Sequence, residues 1–171
     1  MIDMSLTKKR IVEIEARAGD LIEEAIGPVD QTILPVDLSK ILKNLGLTLK
    51  YGLFENEEIA GFYDKNAKTI YVSESEAFLR QVFTIAHEVG HFMLHSNKIS
   101  EVFYRANAFQ FDIQNEIEET EANCFAASLM MPRSLVGNLW EIVQDEGEMA
   151  RTFGVSRTAM VWRLKNLDLL P

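Results

Sequence analysis

The side chains best suited to chemistry lie close together. His87, His91 and His95 are the only histidines in the chain, and they fall within a single short stretch, TIAHEVGHFMLH from Thr84 to His95. On a helix, His87 and His91 project from one face a turn apart, a spacing that suits two ligands of a tetrahedral Zn²⁺ ion. Glu88, one position beyond His87, is angled toward the same cleft, where it can take a proton from an attacking water without being a ligand itself. His95 extends the stripe by another turn. Three ligands strung over two turns of a straight helix cannot meet at one ion, since the outer pair lie about 12 Å apart along the axis. Leu94 and Asn97 also break the longer HExxHxxGxxH pattern. His95 therefore reads as a side chain that orients a ligand or packs structurally.

Two histidines need a third protein ligand, and no other histidine exists. A carboxylate is the natural choice. The segment EIEETEANCFAASLMMP, from Glu116 to Pro132, offers Glu118, Glu119 and Glu121. Helical spacing puts Glu119 on a stripe with Ala122, Asn123, Ala126 and Met130, whose small residues permit close packing on the histidine helix. That favours Glu119 over Glu121 and Glu118, both of which stay open at this point. Asn123, four residues after Glu119, is placed to orient a histidine ring or the carboxylate. Cys124 is turned away from Glu119 and reads as a buried thiol.

The elements that must hold these groups follow from periodicity. Residues 6–26 and 36–45 form amphipathic helices closed by Gly27-Pro28 and Gly46. Leu47–Tyr51 alternates like a strand, and Ile59–Tyr63 with Thr69–Ser73 reads as a hairpin. The histidine helix spans about 76–95. In it Phe78, Val82, Ile85, Ala86, Val89 and Met93 face the core, and Arg80, Thr84, His87, His91 and His95 form a polar stripe. Gly90 costs this helix about 1 kcal/mol relative to alanine, which points to close approach of another backbone. Residues 96–114 read as a loop, a second long helix runs from about 115 to Met131, and three short helices follow at 134–145, 148–153 and 156–167. The predicted class is α+β with a small antiparallel sheet at 1–132, which the His87-Glu88-x-x-His91 motif marks as a zincin-like metallopeptidase core, followed by a small helical subdomain with helix-turn-helix character, at 133–171.

Composition narrows the setting. A 171-residue chain with 47% hydrophobic and 25% charged residues is neither disordered nor fibrous and can bury one core. A single cysteine, no secretory apolar region near the start and no membrane-length apolar run point to a cytoplasmic protein with no membrane partner. The net charge of -9 is concentrated between residues 55 and 121, where thirteen acids face five bases. Such a surface disfavours nucleic acid there.

These residues resemble the ImmA/IrrE family of zinc metallo-endopeptidases. The resemblance is carried by FTIAHEVGHFMLH (83–95) joined to ETEANCFAASLMMP (119–132), with a looser match upstream in PVDLSKILKNLGLTLKY, GFYD and IYVSES. It implies a gluzincin-like peptidase with one Zn²⁺ per chain, held by His87, His91 and Glu119, and with Glu88 as the base. It also implies a protein substrate, a helix-turn-helix transcriptional repressor whose cleavage releases silenced genes of phages or mobile elements. Tyr104, between the two helices, is a weak candidate for the oxyanion donor. An extended substrate is expected to add to a sheet edge, at 59–63 or 69–73.

Residues 148–169 look like a helix-turn-helix, with Gly154 in the turn and Ser156 as cap. Arg157, Arg163 and Lys165 could meet phosphate. Bases and acids balance over 133–171, however, so packing or protein recognition is favoured over DNA binding. The competing reading is a DNA- or protein-binding regulatory module whose metal is structural. Glu88 speaks against it, because a structural site needs no general base.

Overall fold

The computed structural model describes residues 6–96, 103–104 and 113–171, with side chains described for 6–96 and 116–171. Helix α1 spans Lys8–Ala25 and α2 Leu38–Leu45. Strands β1 (Thr48–Gly52), β2 (Ile59–Asp64) and β3 (Thr69–Ser73) follow. Then come α3 (Phe78–His95), the short β4 (Phe103–Tyr104), α4 (Ile113–Met130), α5 (Arg133–Val143), α6 (Glu146–Phe153) and α7 (Arg157–Asn166). The class is α+β, as the order of periodic segments predicts.

Local chemistry sets the boundaries. The Thr7 hydroxyl caps α1 by accepting from the Arg10 N–H. Asp37 caps α2 by accepting from the Ser39 N–H, and Gly46 ends it in the left-handed conformation at φ 66°. Between β2 and β3 the Asp64 carboxylate accepts from the backbone of Asn66 and Ala67, which closes the hairpin.

The sheet order is β1-β3-β2-β4. β2 and β3 pair antiparallel as a hairpin must, but β1 runs parallel to β3, so the sheet is mixed and not wholly antiparallel. After β1 the chain skips one strand position, and β3 folds back to fill it. β3 is consequently central, with Thr69, Ile70, Val72 and Ser73 all buried. This removes the expected docking edge at 69–73. Ile59 and Gly61 of β2 are likewise paired, with Tyr104 and Phe103 of β4.

Helix α3 crosses the sheet and is sandwiched by α4, which packs on α1 in turn. Two glycines permit this closeness. A Cβ on Gly61 would lie 2.6 Å from Thr84 Cγ2, and one on Gly90 would lie 2.9 Å from the Ala122 carbonyl oxygen. The close approach inferred at Gly90 is therefore real, and its partner is the backbone of α4. One apolar cluster runs from Ile14, Leu21 and Ile22 of α1 through Ile85, Val89, Phe125 and Leu129 to Phe153, Met160 and Leu164. Phe78, expected in the core, is 72% exposed because it starts α3 beyond the cover of α4. Among the described residues, no helix is long and apolar enough to cross a membrane.

Candidate metal centre

The glycine contact brings the first half of α4 against the middle of α3, where every residue from Thr84 to Gly90 is buried. Thr84 and His87 of the polar stripe thus face protein, while Arg80 at its start stays exposed and His91 and His95 are partly covered. At the crossing, His87 Nε2 lies 3.2 Å from Glu119 Oε2, His91 Nε2 lies 3.1 Å from Glu119 Oε1, and the two Nε2 atoms are 3.0 Å apart. These are close to the edges of a tetrahedron around a small divalent cation, about 3.3–3.4 Å for bonds of about 2.0–2.1 Å. Among the described residues, His87, His91 and Glu119 are the group whose ligand atoms could share a metal ion. Glu118 and Glu121, the other carboxylates considered from sequence, are not part of it.

The far side of each ring indicates how its nitrogens are disposed. His87 Nδ1 is 2.9 Å from Asn123 Oδ1. An amide oxygen only accepts, so His87 carries its proton on Nδ1 and turns a lone pair on Nε2 toward Glu119. His91 Nδ1 sits 3.1 Å from His95 Nδ1, and His95 Nε2 is 2.9 Å from Glu121 Oε2. Two imidazole nitrogens and a carboxylate oxygen, with a fourth position left to water or substrate, form a donor set that catalytic metals use. The residues present therefore fit a metal, on the geometry of their own ligand atoms.

Electrostatics follow the same layout. Burial pushes His87 below the usual imidazole range, against the pull of Glu119. Burial acts on His91 in the same sense, but Glu119 outweighs it and leaves His91 raised. For Glu119, burial alone would raise the pKa, yet the two histidines that face its carboxylate bring it down to about 2. Glu88 is 2% exposed, and its Oε1 has no hydrogen-bond partner. Burial raises its pKa to about 7; His91 and a backbone N–H of Tyr63 in β2 oppose that rise, and Glu119 reinforces it. A buried carboxyl with an unengaged oxygen beside the converging donors is suited to exchanging a proton near neutral pH.

The sequence reading missed two contributors. Arg10 of α1 forms a two-point ion pair with Glu121, its Nε 2.6 Å from Oε1 and its Nη2 2.9 Å from Oε2. Nothing in the spacing of residues 111 positions apart signals this contact. Tyr63 was assigned only to a strand, and its backbone role toward Glu88 has no side-chain signature. The backbone of Tyr104, in β4, pairs with Ile59 of β2, while its side chain lies outside the described residues. Cys124 is fully buried, and burial raises its thiol to about 11, which fits a packing role.

A cavity of about 760 Å³ opens beside His87 and Asn123, walled by Phe83, Thr84 and Arg80 of α3, Met130 of α4 and Trp162 of α7. The α6–α7 pair does have the helix-turn-helix form: Gly154 turns at φ 66° and the Ser156 hydroxyl caps α7. Its expected phosphate contacts are largely spent within the fold. Arg163 is 2% exposed, lies 2.9 Å from Glu15 and donates to the Met131 carbonyl oxygen, and Arg157 pairs with Glu146.

The chain is similar to known proteins. The family model of the M78 peptidases, described as the IrrE N-terminal-like domain, matches residues 42–165, and the chain belongs to that family. It is 26% identical over 117 residues to the radiation response metalloprotease IrrE of Deinococcus radiodurans, covering 65% of this chain and 35% of that protein. To the protein of the same name from Deinococcus deserti it is 30% identical over 110 residues, covering 61% and 38%. The matched region thus spans little more than a third of these relatives. A solved Mycobacterium tuberculosis transcriptional regulator shares the fold at a TM-score of 0.64 and 19% identity, over 90% of this chain and 46% of that one.

Proposed function

We propose that this M78-family chain is a zinc-dependent endopeptidase in which His87, His91 and Glu119 hold one Zn²⁺ and Glu88 is the general base. The observation that carries the reading is the convergence of His87 Nε2, His91 Nε2 and the Glu119 carboxylate, with the buried, unengaged Glu88 oxygen alongside. Zinc bound there supplies Lewis acidity to the attacking water and the scissile carbonyl. The protein does the rest. Glu88 accepts the water's proton and delivers it to the departing amine nitrogen, a role suited to a carboxyl raised to about 7. Asn123 and His95 hold the two ligand rings in place, and Tyr104 is the oxyanion donor to test. The cavity beside His87, with Phe83 and Trp162 in its walls, accommodates apolar substrate side chains.

For substrate, the family resemblance favours a helix-turn-helix transcriptional repressor whose cleavage in the cytoplasm relieves repression of phage or mobile-element genes. In this reading residues 1–132 are the peptidase domain, and residues 133–171 are a helical subdomain that wall the cavity through α7. The burial of Arg163 favours packing over DNA contact for α7.

The test is cleavage of a purified candidate repressor by the purified chain with zinc, with and without chelator. Glu88→Gln is expected to keep zinc and lose cleavage by about 10²–10⁴-fold. Undiminished cleavage by that variant, or cleavage unaffected by chelation, would overturn the assignment.

A further inference from the structure

The first clue is a chain of contacts that starts outside the family-matched residues 42–165 and ends on a proposed metal ligand. Arg10 on α1 holds both oxygens of Glu121 on α4, at 2.6 and 2.9 Å. Glu121 Oε2 is also 2.9 Å from His95 Nε2, and His95 Nδ1 is 3.1 Å from His91 Nδ1. Only 11% of the Glu121 side chain and 10% of the His95 side chain are exposed, so water competes little for these partners.

We propose that Arg10, Glu121 and His95 form a positioning relay that fixes His91 in the tautomer able to bind metal. The donor and acceptor roles follow from one end to the other. The guanidinium can only donate, and the Glu121 carboxylate it anchors can only accept. His95 therefore carries its proton on Nε2 and donates it to Glu121. The Nδ1 atom of a neutral His95 is then an acceptor, so the facing His91 Nδ1 carries a proton and donates. That leaves His91 Nε2 with its lone pair, 3.1 Å from Glu119 Oε1 and 3.0 Å from His87 Nε2. Asn123 performs the same selection for His87 in one step. The two ligands are thus set from opposite sides, one by a neighbour on α4 and the other by a relay that reaches α1.

A structural role alone would make Arg10–Glu121 just a clamp between α1 and α4. Helix α1 has another such clamp in Glu15, which pairs with Arg163 and Arg133. That pair is the natural control. Outer partners of metal-binding histidines typically contribute 10–100-fold in metal affinity.

The inference rests on reading His91 as a metal ligand, and the experiment separates the two. Zinc affinity of the full chain is measured by competition with a chromophoric chelator. Glu121→Ala is expected to weaken zinc binding about 10–100-fold. Glu121→Gln, which keeps an acceptor for His95, should lose less, and Arg10→Lys should recover part of what Arg10→Ala loses. Glu15→Gln should lower thermal stability and leave zinc affinity unchanged. Parental affinity in Glu121→Ala, or an equal loss in Glu15→Gln, would overturn the relay. A parent chain that binds no zinc would overturn the metal reading instead. Imidazole ¹⁵N shifts of the metal-free parent chain give a readout that needs no variant: a proton on His91 Nδ1 supports the relay, and a proton on Nε2 refutes it.

Discussion

Helix α1 is linked to two charged clusters, and they are built on opposite charge logic. At one, Arg163 is 2% exposed and meets Glu15, the Met131 carbonyl oxygen and, through Glu15, Arg133. A buried cation is closed off there by a direct anion partner and a carbonyl acceptor, although its Nη2 finds none. At the other, two imidazole lone pairs and a carboxylate converge between α3 and α4, with Glu88 behind them. Acceptors there face acceptors, an arrangement that a bound cation would stabilise. Buried charge alone does not mark a site. An excess of one sign, held rigidly, does.

The largest expected effect comes from opening the closed cluster. Arg163→Leu leaves Glu15 without its buried cation and should cost about 3–5 kcal/mol in urea unfolding. Replacing Glu15 by leucine as well removes the unpaired charge, and most of the loss should return. Zinc affinity should not change in either variant. A double variant as unstable as the single one would mean that Arg163 acts through packing and the Met131 hydrogen bond, not through charge.

At the open cluster the cation itself is the missing partner, so metal should stabilise the fold. Zinc at about 100 times its dissociation constant is expected to add about 2.7 kcal/mol to the parent chain. Glu119→Ala should abolish that gain, while Arg163→Leu should retain it. A zinc-dependent rise in melting temperature that survives in Glu119→Ala would place the metal elsewhere and remove the contrast between the clusters.

Much of the open cluster was legible in the sequence because its logic is local. His87, Glu88 and His91 share one helix, Glu119 and Asn123 share another, and Gly90 announced the approach that brings the helices together. The helix-turn-helix outline was equally local, since Gly154 and Ser156 mark the turn and cap themselves. What escaped was the pairing of distant segments. Arg10 with Glu121 and Arg163 with Glu15 join residues more than a hundred positions apart, and periodicity says which face is buried but not which charge will meet it. The same limit hid the sheet order. Strand character shows in alternation, whereas the parallel pairing of β1 with β3 depends on where the hairpin lands. Arg163 was offered as a base that could meet phosphate even though packing was favoured for its helix; its burial follows from α7 packing on the core near Met131.

The smallest effect separates the relay from the clamp through acid. Glu121 titrates below the ordinary 4.5 because Arg10 hydrogen-bonds its carboxylate, a pull that burial opposes and His95 assists. A carboxylate lowered in this way stabilises the fold fully above pH 4.5, and that stabilisation fades as pH falls through the depressed value. In the metal-free protein, Glu121→Gln should therefore cost about 1.5 kcal/mol at pH 7, the low end for a hydrogen bond to a charged group because Gln keeps one acceptor. The gap to the parent should hold at pH 5 and narrow steadily toward pH 3. Urea unfolding of both proteins across that range gives the difference directly. If the gap stays constant down to pH 3, the carboxylate's charge contributes nothing at this position, and the chain of donors from Arg10 to His91 would lose its anchor.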